Sequence, residues 1–151
     1  RPDLTLYDAI HQHPFFSRQG VRSTGREEFS DQWITGIVEQ ASHISNQDLI
    51  ASAVDAVARN IASCCRRGHA TTEVVLAGGG SRNRVLIEQI RHHCADACTV
   101  LLSDGLGIPA TAREALGLAV LGALCQDGVP ITLPQVTGAK HRPGAGVWVY
   151  P

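Results

Sequence analysis

Methionine is missing from all 151 residues, and the chain opens on Arg1-Pro2-Asp3-Leu4 instead of an initiator. The expectation is a natural protein that begins further upstream. No basic segment followed by an apolar one stands at this start, so no signal peptide is expected. No uninterrupted apolar run comes near the roughly 18–20 residues that a membrane span requires. An excess of charge is lacking too: the formal net charge is −1 with 7 histidines, which leaves no electrostatic footprint for nucleic acid or an anionic membrane. C-x-x-C pairs are absent, and the 5 cysteines are an odd number at irregular spacing. They read as reduced thiols in a cytoplasmic protein.

What remains is ordinary globular composition, 44% hydrophobic and 18% charged. A chain of this length reads as one domain, long enough to bury a real core. The cluster His92-His93-Cys94, followed by Cys98, brings ligand-type residues together and raises zinc as one reading. The preferred reading makes Cys94 and Cys98 small buried hydrophobes, at the end of a helix and the start of a strand. The histidines then fall in a last turn, where positive charge suits the helix dipole.

Periodicity predicts several helices and one strand-helix-strand unit. Residues Leu4 to His11 read as the end of a helix stopped by His13-Pro14, because the residue before proline avoids the helical region. After a polar stretch, a helix is expected from about Arg26 to Ser42, with Phe29, Trp33, Ile37 and Val38 on one stripe. Ser45 and Asp48 have the spacing of a capping box. Behind them Ile50, Val54, Val57, Ile61 and Cys64 mark one face of a long helix, closed by Arg66-Arg67-Gly68. A strand over Glu73 to Ala77, a helix over about Asn83 to His93 and a strand over Cys98 to Leu102 imply two parallel neighbours joined by a crossover. The next helix, about Ala110 to Gln126, is apolar nearly all round and is expected to be deeply buried. Short strands are expected at Ile131-Thr132-Leu133 and Val147-Trp148-Val149.

In open α/β sheets ligands gather at the carboxyl ends of the strands. Two loops leave such ends, Gly78 to Asn83 and Ser103 to Gly107. The first holds Gly78-Gly79-Gly80, and ordered glycine is entropically costly. A strand-to-helix turn needs one or two glycines; a third suggests that a ligand lies against bare backbone. The helix N-terminus behind it suits phosphate. Asn83 is placed either to cap that helix or to bond a ribose or phosphate oxygen. The loop is not a Walker-type G-x-x-x-x-G-K-[ST], nor the full dinucleotide G-x-G-x-x-G, since position 83 is Asn. Nucleotide binding without its own catalytic lysine is what the local chemistry supports.

Glu114 sits early in the apolar helix, either as a solvated first-turn acid or as a polar group turned into a cleft toward sugar hydroxyls. Ser23 or Thr24 could cap the helix that follows, with Glu27 as partner acid, while Arg26 could reach across a cleft.

Four stretches in order, "STGREEF" (Ser23 to Phe29), "LAGGGSRN" (Leu76 to Asn83), "GIPATAREA" (Gly107 to Ala115) and "LPQVTGA" (Leu133 to Ala139), resemble the C-terminal half of the anhydro-N-acetylmuramic acid kinases. Levoglucosan kinases are sister enzymes. The resemblance implies an α/β fold of parallel strands with packed helices, the C-terminal lobe of an actin-like ATPase (ribonuclease H-like) sugar kinase. Residues 1–151 would be that nucleotide-binding lobe as a single domain, with the N-terminal lobe absent from the chain. ATP and Mg²⁺ are the implied cofactors, Gly78, Gly79, Gly80 and Asn83 the ATP-binding residues, and Glu114, Ser23, Thr24 and Arg26 the residues near the anhydro-sugar. The implied partners are the sugar, ATP, the N-terminal lobe and a second copy in a homodimer.

The family reaction opens the 1,6-anhydro ring with water while O6 takes the γ-phosphoryl group of ATP, a step of cell-wall sugar recycling. Its catalytic aspartate lies upstream of the segment matching Arg1, so no catalytic residue and no metal ligand is assigned, and the chain alone is expected to be inactive. Two departures stand out: Arg22 replaces the family's lysine, and the ending "HRPGAGVWVYP" is unlike the bacterial pattern. The competing readings are a levoglucosan kinase lobe, a non-catalytic nucleotide-binding or dimerisation domain, and an unrelated scaffold in which the glycines only turn.

Overall fold

The computed structural model describes residues 2–18, 24–25, 27–67, 73–141, 146 and 149. The first helix, α1 (Leu4–His11), is a complete helix rather than the tail of a longer one. Its cap is Asp3, whose carboxylate accepts from the N–H groups of Thr5 at 2.8 Å and Leu6 at 3.1 Å. The hydrogen bond from the Thr5 hydroxyl, joined by those N–H bonds, holds the Asp3 carboxyl below its ordinary range. The expected stop holds: His13 is extended and caps the short α2 (Pro14–Ser17), its Nδ1 accepting from Phe15 N–H at 3.2 Å.

Helix α3 (Asp31–Gln40) starts later than the apolar spacing suggested, because its cap is Ser30, whose hydroxyl accepts from Trp33 N–H at 3.3 Å. Of the alternative caps, Ser23 lies outside the described residues, and Thr24 is exposed with its hydroxyl donating to Gly25 O at 3.4 Å. Phe29 and Trp33 do share a side: their rings lie 5.3 Å apart, with His13 4.8 Å from Phe29.

Ser45 and Asp48 open α4 (Asn46–Arg67) as expected, Asp48 N–H donating to Ser45 Oγ at 3.1 Å. The glycine expected to close it, Gly68, lies outside the described residues. Which face of α4 is buried differs from the expected one. Ser52, Asp55, Ala56, Ala58 and Ala62 are buried, whereas Ile50 and Val57 are at least half exposed. Small residues let a neighbouring helix approach closely; of the expected stripe, Ile50 and Val57 border an open groove shared with Trp33, Ile34 and Val38 of α3, while Ile61 packs against the core.

The strand-helix-strand unit is as predicted. Strands β1 (Glu73–Leu76) and β2 (Thr99–Leu102) pair in parallel, with Val74 opposite Val100 and Leu76 opposite Leu102. Between them runs α5 (Arg84–Cys94), packed on α4. The core forms at this junction from Ala58, Ala62, Ile90, Cys94 and Val100. The architecture is a helix-rich α/β unit around a two-stranded parallel sheet.

Two expectations fail in the C-terminal third. Helix α6 (Arg113–Gln126) forms but buries none of its residues, and Leu118 is 70% exposed. An all-round apolar helix needs partners on every side, and the described residues supply almost none. Ile131-Thr132-Leu133 is not a strand; with no strand beside it among the described residues, it leads into α7 (Pro134–Thr137). Of the other predicted strand, Val147 and Trp148 lie outside the described residues. No helix is long and apolar enough to cross a membrane among the described residues.

Candidate functional site

Parallel pairing puts the ends of β1 and β2 side by side, so the loops that follow Leu76 and Leu102 emerge at one end of the sheet. After β1 the chain passes through Gly78 at φ +86°, a left-handed conformation that a side chain would strain. Residues Gly79–Arg82 then make a single 3-10 turn, held by Ser81 N–H to Gly78 O and Asn83 N–H to Gly80 O, each at 3.1 Å. The Ser81 hydroxyl also donates to Gly78 O, at 2.7 Å. Asn83 caps α5, its Oδ1 accepting from Leu86 N–H at 3.1 Å. The capping reading of Asn83 is therefore realised, and the cap does not need the amide NH₂ of the same side chain.

Only the first glycine is demanded by the backbone. A Cβ on Gly79 would meet nothing within 4 Å, and one on Gly80 only Leu86 Cδ2 at 3.9 Å. Backbone conformation thus accounts for one glycine of the three, and packing among the described residues for none. Beside the turn lies a groove of about 260 Å³, bordered by Leu76, Ala77, Gly80, Ser81 and Leu86.

The second loop begins as a 3-10 turn, Ser103–Leu106, and passes through Gly107 at φ +80°. Ser103 is buried, and its hydroxyl is the one buried side-chain polar atom without a partner among the described residues. Such a group costs about 1–3 kcal/mol unless a partner arrives from outside.

Helix α6 connects the two loops. Arg113 Nη2 lies 4.0 Å from where a Cβ of Gly78 would stand, and pairs loosely with Glu114 Oε1 at 3.4 Å. Glu114 itself is exposed in the first turn of α6, where a negative charge suits the helix dipole. The sequence reading missed Arg113. It is distant in the chain from Gly78, and only the fold makes them neighbours.

Of the residues expected at the site, Gly78, Gly79, Gly80 and Asn83 form one turn, and Glu114 stands beside Arg113, which reaches that turn. Thr24 is exposed on the segment before α3, and Ser23 and Arg26 lie outside the described residues. Among the described residues no three acidic or histidine side chains converge, so the turn offers backbone N–H, hydroxyl and guanidinium groups rather than a carboxylate cage.

A family model described as anhydro-N-acetylmuramic acid kinase matches residues 2–151. Among curated relatives, an anhydro-N-acetylmuramic acid kinase of Streptomyces coelicolor is 34% identical over 141 residues, covering 93% of this chain and 36% of the relative. One of Rhodococcus erythropolis is 32% identical over 140 residues, covering 93% and 35%. One of Pseudomonas syringae is 31% identical over 150 residues, covering 99% and 41%. The chain spans little more than a third of the length of these relatives.

Proposed function

This chain belongs to the anhydro-N-acetylmuramic acid kinase family, and from that premise we propose that it is the C-terminal, nucleotide-binding lobe of an ATP-dependent anhydro-sugar kinase. The observation that carries the reading is the glycine turn. Gly79 and Gly80 are free of any packing demand among the described residues, at the carboxyl end of a parallel strand and in front of a helix N-terminus. Bare backbone there lets adenosine and phosphates lie close, and the first N–H groups of α5 face an anion. The Arg113 guanidinium adds a positive charge beside Gly78.

Mg²⁺ fits this arrangement as an ion carried largely by the phosphates, since no all-protein cage is offered among the described residues. When bound it would supply charge neutralisation for the phosphoryl transfer. The described residues would hold the nucleotide, and Glu114 would bond the sugar hydroxyls across the cleft. Water adds to C1 of the sugar as the C1–O6 bond breaks, and O6 takes the γ-phosphoryl group. The proton of that water goes to a base outside this chain, on the remaining part of the enzyme.

That remaining part also explains α6. The apolar surface of Leu116, Leu118 and Val120 would be covered by the N-terminal lobe in the whole enzyme. The test is turnover by the full-length protein with ATP, Mg²⁺ and either 1,6-anhydro-N-acetylmuramic acid or levoglucosan. The reading requires ADP and the 6-phosphorylated ring-opened muramyl sugar. Turnover of levoglucosan alone would assign it to the sister enzymes, and turnover of neither would overturn the kinase.

A further inference from the structure

Cys94 at the end of α5 and Cys98 just before β2 flank one turn, and Cys65, near the end of α4, meets them there: the three Sγ atoms all lie within 4.8 Å of one another. The convergence is fixed by the backbone around it. Cys98 N–H donates to Cys94 O at 3.1 Å and Ala97 N–H to the same oxygen at 2.8 Å, folding Cys98 back over Cys94. One residue before Cys94, the His93 carbonyl accepts from Arg66 Nη1 at 2.7 Å, which holds the ends of α4 and α5 together.

Cys94 is fully buried, while Cys65 and Cys98 are half-buried and leave an approach from solvent. Burial, reinforced by the neighbouring thiols, pushes the Cys94 thiol up to about 12 and raises that of Cys65. The trio packs beside Ile90 and Ala62, with Cys94 inside the core and Cys65 and Cys98 against it.

We propose that Cys65, Cys94 and Cys98 form a three-thiolate site for a thiophilic divalent cation of the zinc class. Three sulfurs with no hard oxygen among them select a soft or borderline ion over Mg²⁺. Zn–S bonds of about 2.3 Å place tetrahedral thiolates about 3.8 Å apart, so small rotations suffice to close the site. On binding, three S–H bonds are replaced by three S–metal bonds and three protons pass to solvent, with no electron transferred. The fourth position is left to water. His92 and His93, the ligands that sequence spacing offered beside Cys94, are not members of the cluster; Cys65, from another helix, takes their place. The ion would tie the ends of α4 and α5 to the start of β2, independently of nucleotide.

Cobalt(II) titration of the reduced full-length protein tests this. One Co²⁺ per chain is expected, with sulfur-to-cobalt charge-transfer absorption that Zn²⁺ abolishes. Cys65→Ser and Cys98→Ser should each lose the absorption, whereas Cys64→Ser and Cys125→Ser should keep it. X-ray absorption of the wild-type zinc form, which needs no variant to fold, should report three sulfur neighbours. Absence of stoichiometric binding, survival of the absorption in both cluster variants, or fewer than three sulfurs overturns the site. A protein that takes up no metal when reduced, and whose trio forms a disulfide once dioxygen is admitted as oxidant, does so too.

Discussion

The carboxylate of Asp55 on α4 accepts a 2.7 Å hydrogen bond from Nε2 of His93 on α5. Its other oxygen accepts from Arg59 Nε, also at 2.7 Å, and the Arg59 guanidinium in turn lies 5.0 Å from the Tyr7 ring. A buried acid is thereby tolerated in the face that joins the two helices. Burial alone would raise the Asp55 carboxyl, but the hydrogen bonds from His93 and Arg59 outweigh it and hold the group below its ordinary range. The clasp grips one end of α5, while the glycine turn sits at the other.

Removing that acceptor should therefore loosen the whole strand-helix-strand unit. Asp55→Ala is expected to cost about 3 kcal/mol, because two donors lose a buried partner. The lowered folded value also fixes the sign of the pH effect. The contribution is present above the unfolded value of 3.8 and is lost as pH falls through the folded one. Urea unfolding of wild type should weaken in that acid window, and Asp55→Asn should lack this part of the slope; equal slopes would contradict the clasp.

Asn83 separates capping from ligand contact. Asn83→Ala should cost about 1 kcal/mol by losing the cap on Leu86 N–H. Asn83→Asp keeps a capping acceptor but sets a negative charge beside incoming phosphate. It should melt like wild type in thermal denaturation and show a raised KM for ATP, with the KM for sugar unchanged.

Gly78 and Gly80 should respond differently to the same methyl group. Gly78→Ala forces a side chain into φ +86° with ψ −173°, a region held essentially by glycine, and should cost about 1–3 kcal/mol. Gly80→Ala meets only an ordinary contact of 3.9 Å with Leu86 and should leave thermal stability nearly unchanged. Matching losses in the two variants would mean that the turn is not built as described.

If Glu114 holds the sugar, Glu114→Gln in the full-length enzyme should raise the sugar KM about tenfold, the effect of about 1.4 kcal/mol, and leave that of ATP alone. Arg113→Ala should do the reverse, since the guanidinium lies beside Gly78. Steady-state kinetics with each substrate varied in turn reads both.

Local signals carried much of the fold. Asp48 three residues after Ser45, Asn83 before an amphipathic run, and two β-branched stretches separated by helical spacing each gave the element that forms. Faces were harder. Periodicity points to the stripe from Ile50 to Cys64 as the core side of α4, yet the buried side runs through Ser52, Asp55, Ala58 and Ala62, and of the stripe Ile61 packs against the core while Ile50 and Val57 stay exposed. Burial of small and charged residues depends on a partner such as His93, and periodicity holds no record of it. Helix α6 failed for a related reason: its composition reports a buried environment that the described residues do not contain. At the site, the glycines and Asn83 could be read from one contiguous stretch. Arg113 beside Gly78 and Cys65 beside Cys94 are products of chain crossing, which sequence spacing does not encode.

Gly79→Val in the full-length enzyme tests the central claim most directly. Among the described residues, chain neighbours apart, no atom lies within 4 Å of the position a Cβ would take on Gly79, so the fold should accept the side chain, with thermal melting close to wild type. Bound nucleotide should not accept it: the KM for ATP should rise at least tenfold while that for the sugar stays within a factor of about two, the tenfold rise being about 1.4 kcal/mol. An unchanged KM for ATP in a folded, active Gly79→Val enzyme would contradict the assignment of this turn to nucleotide.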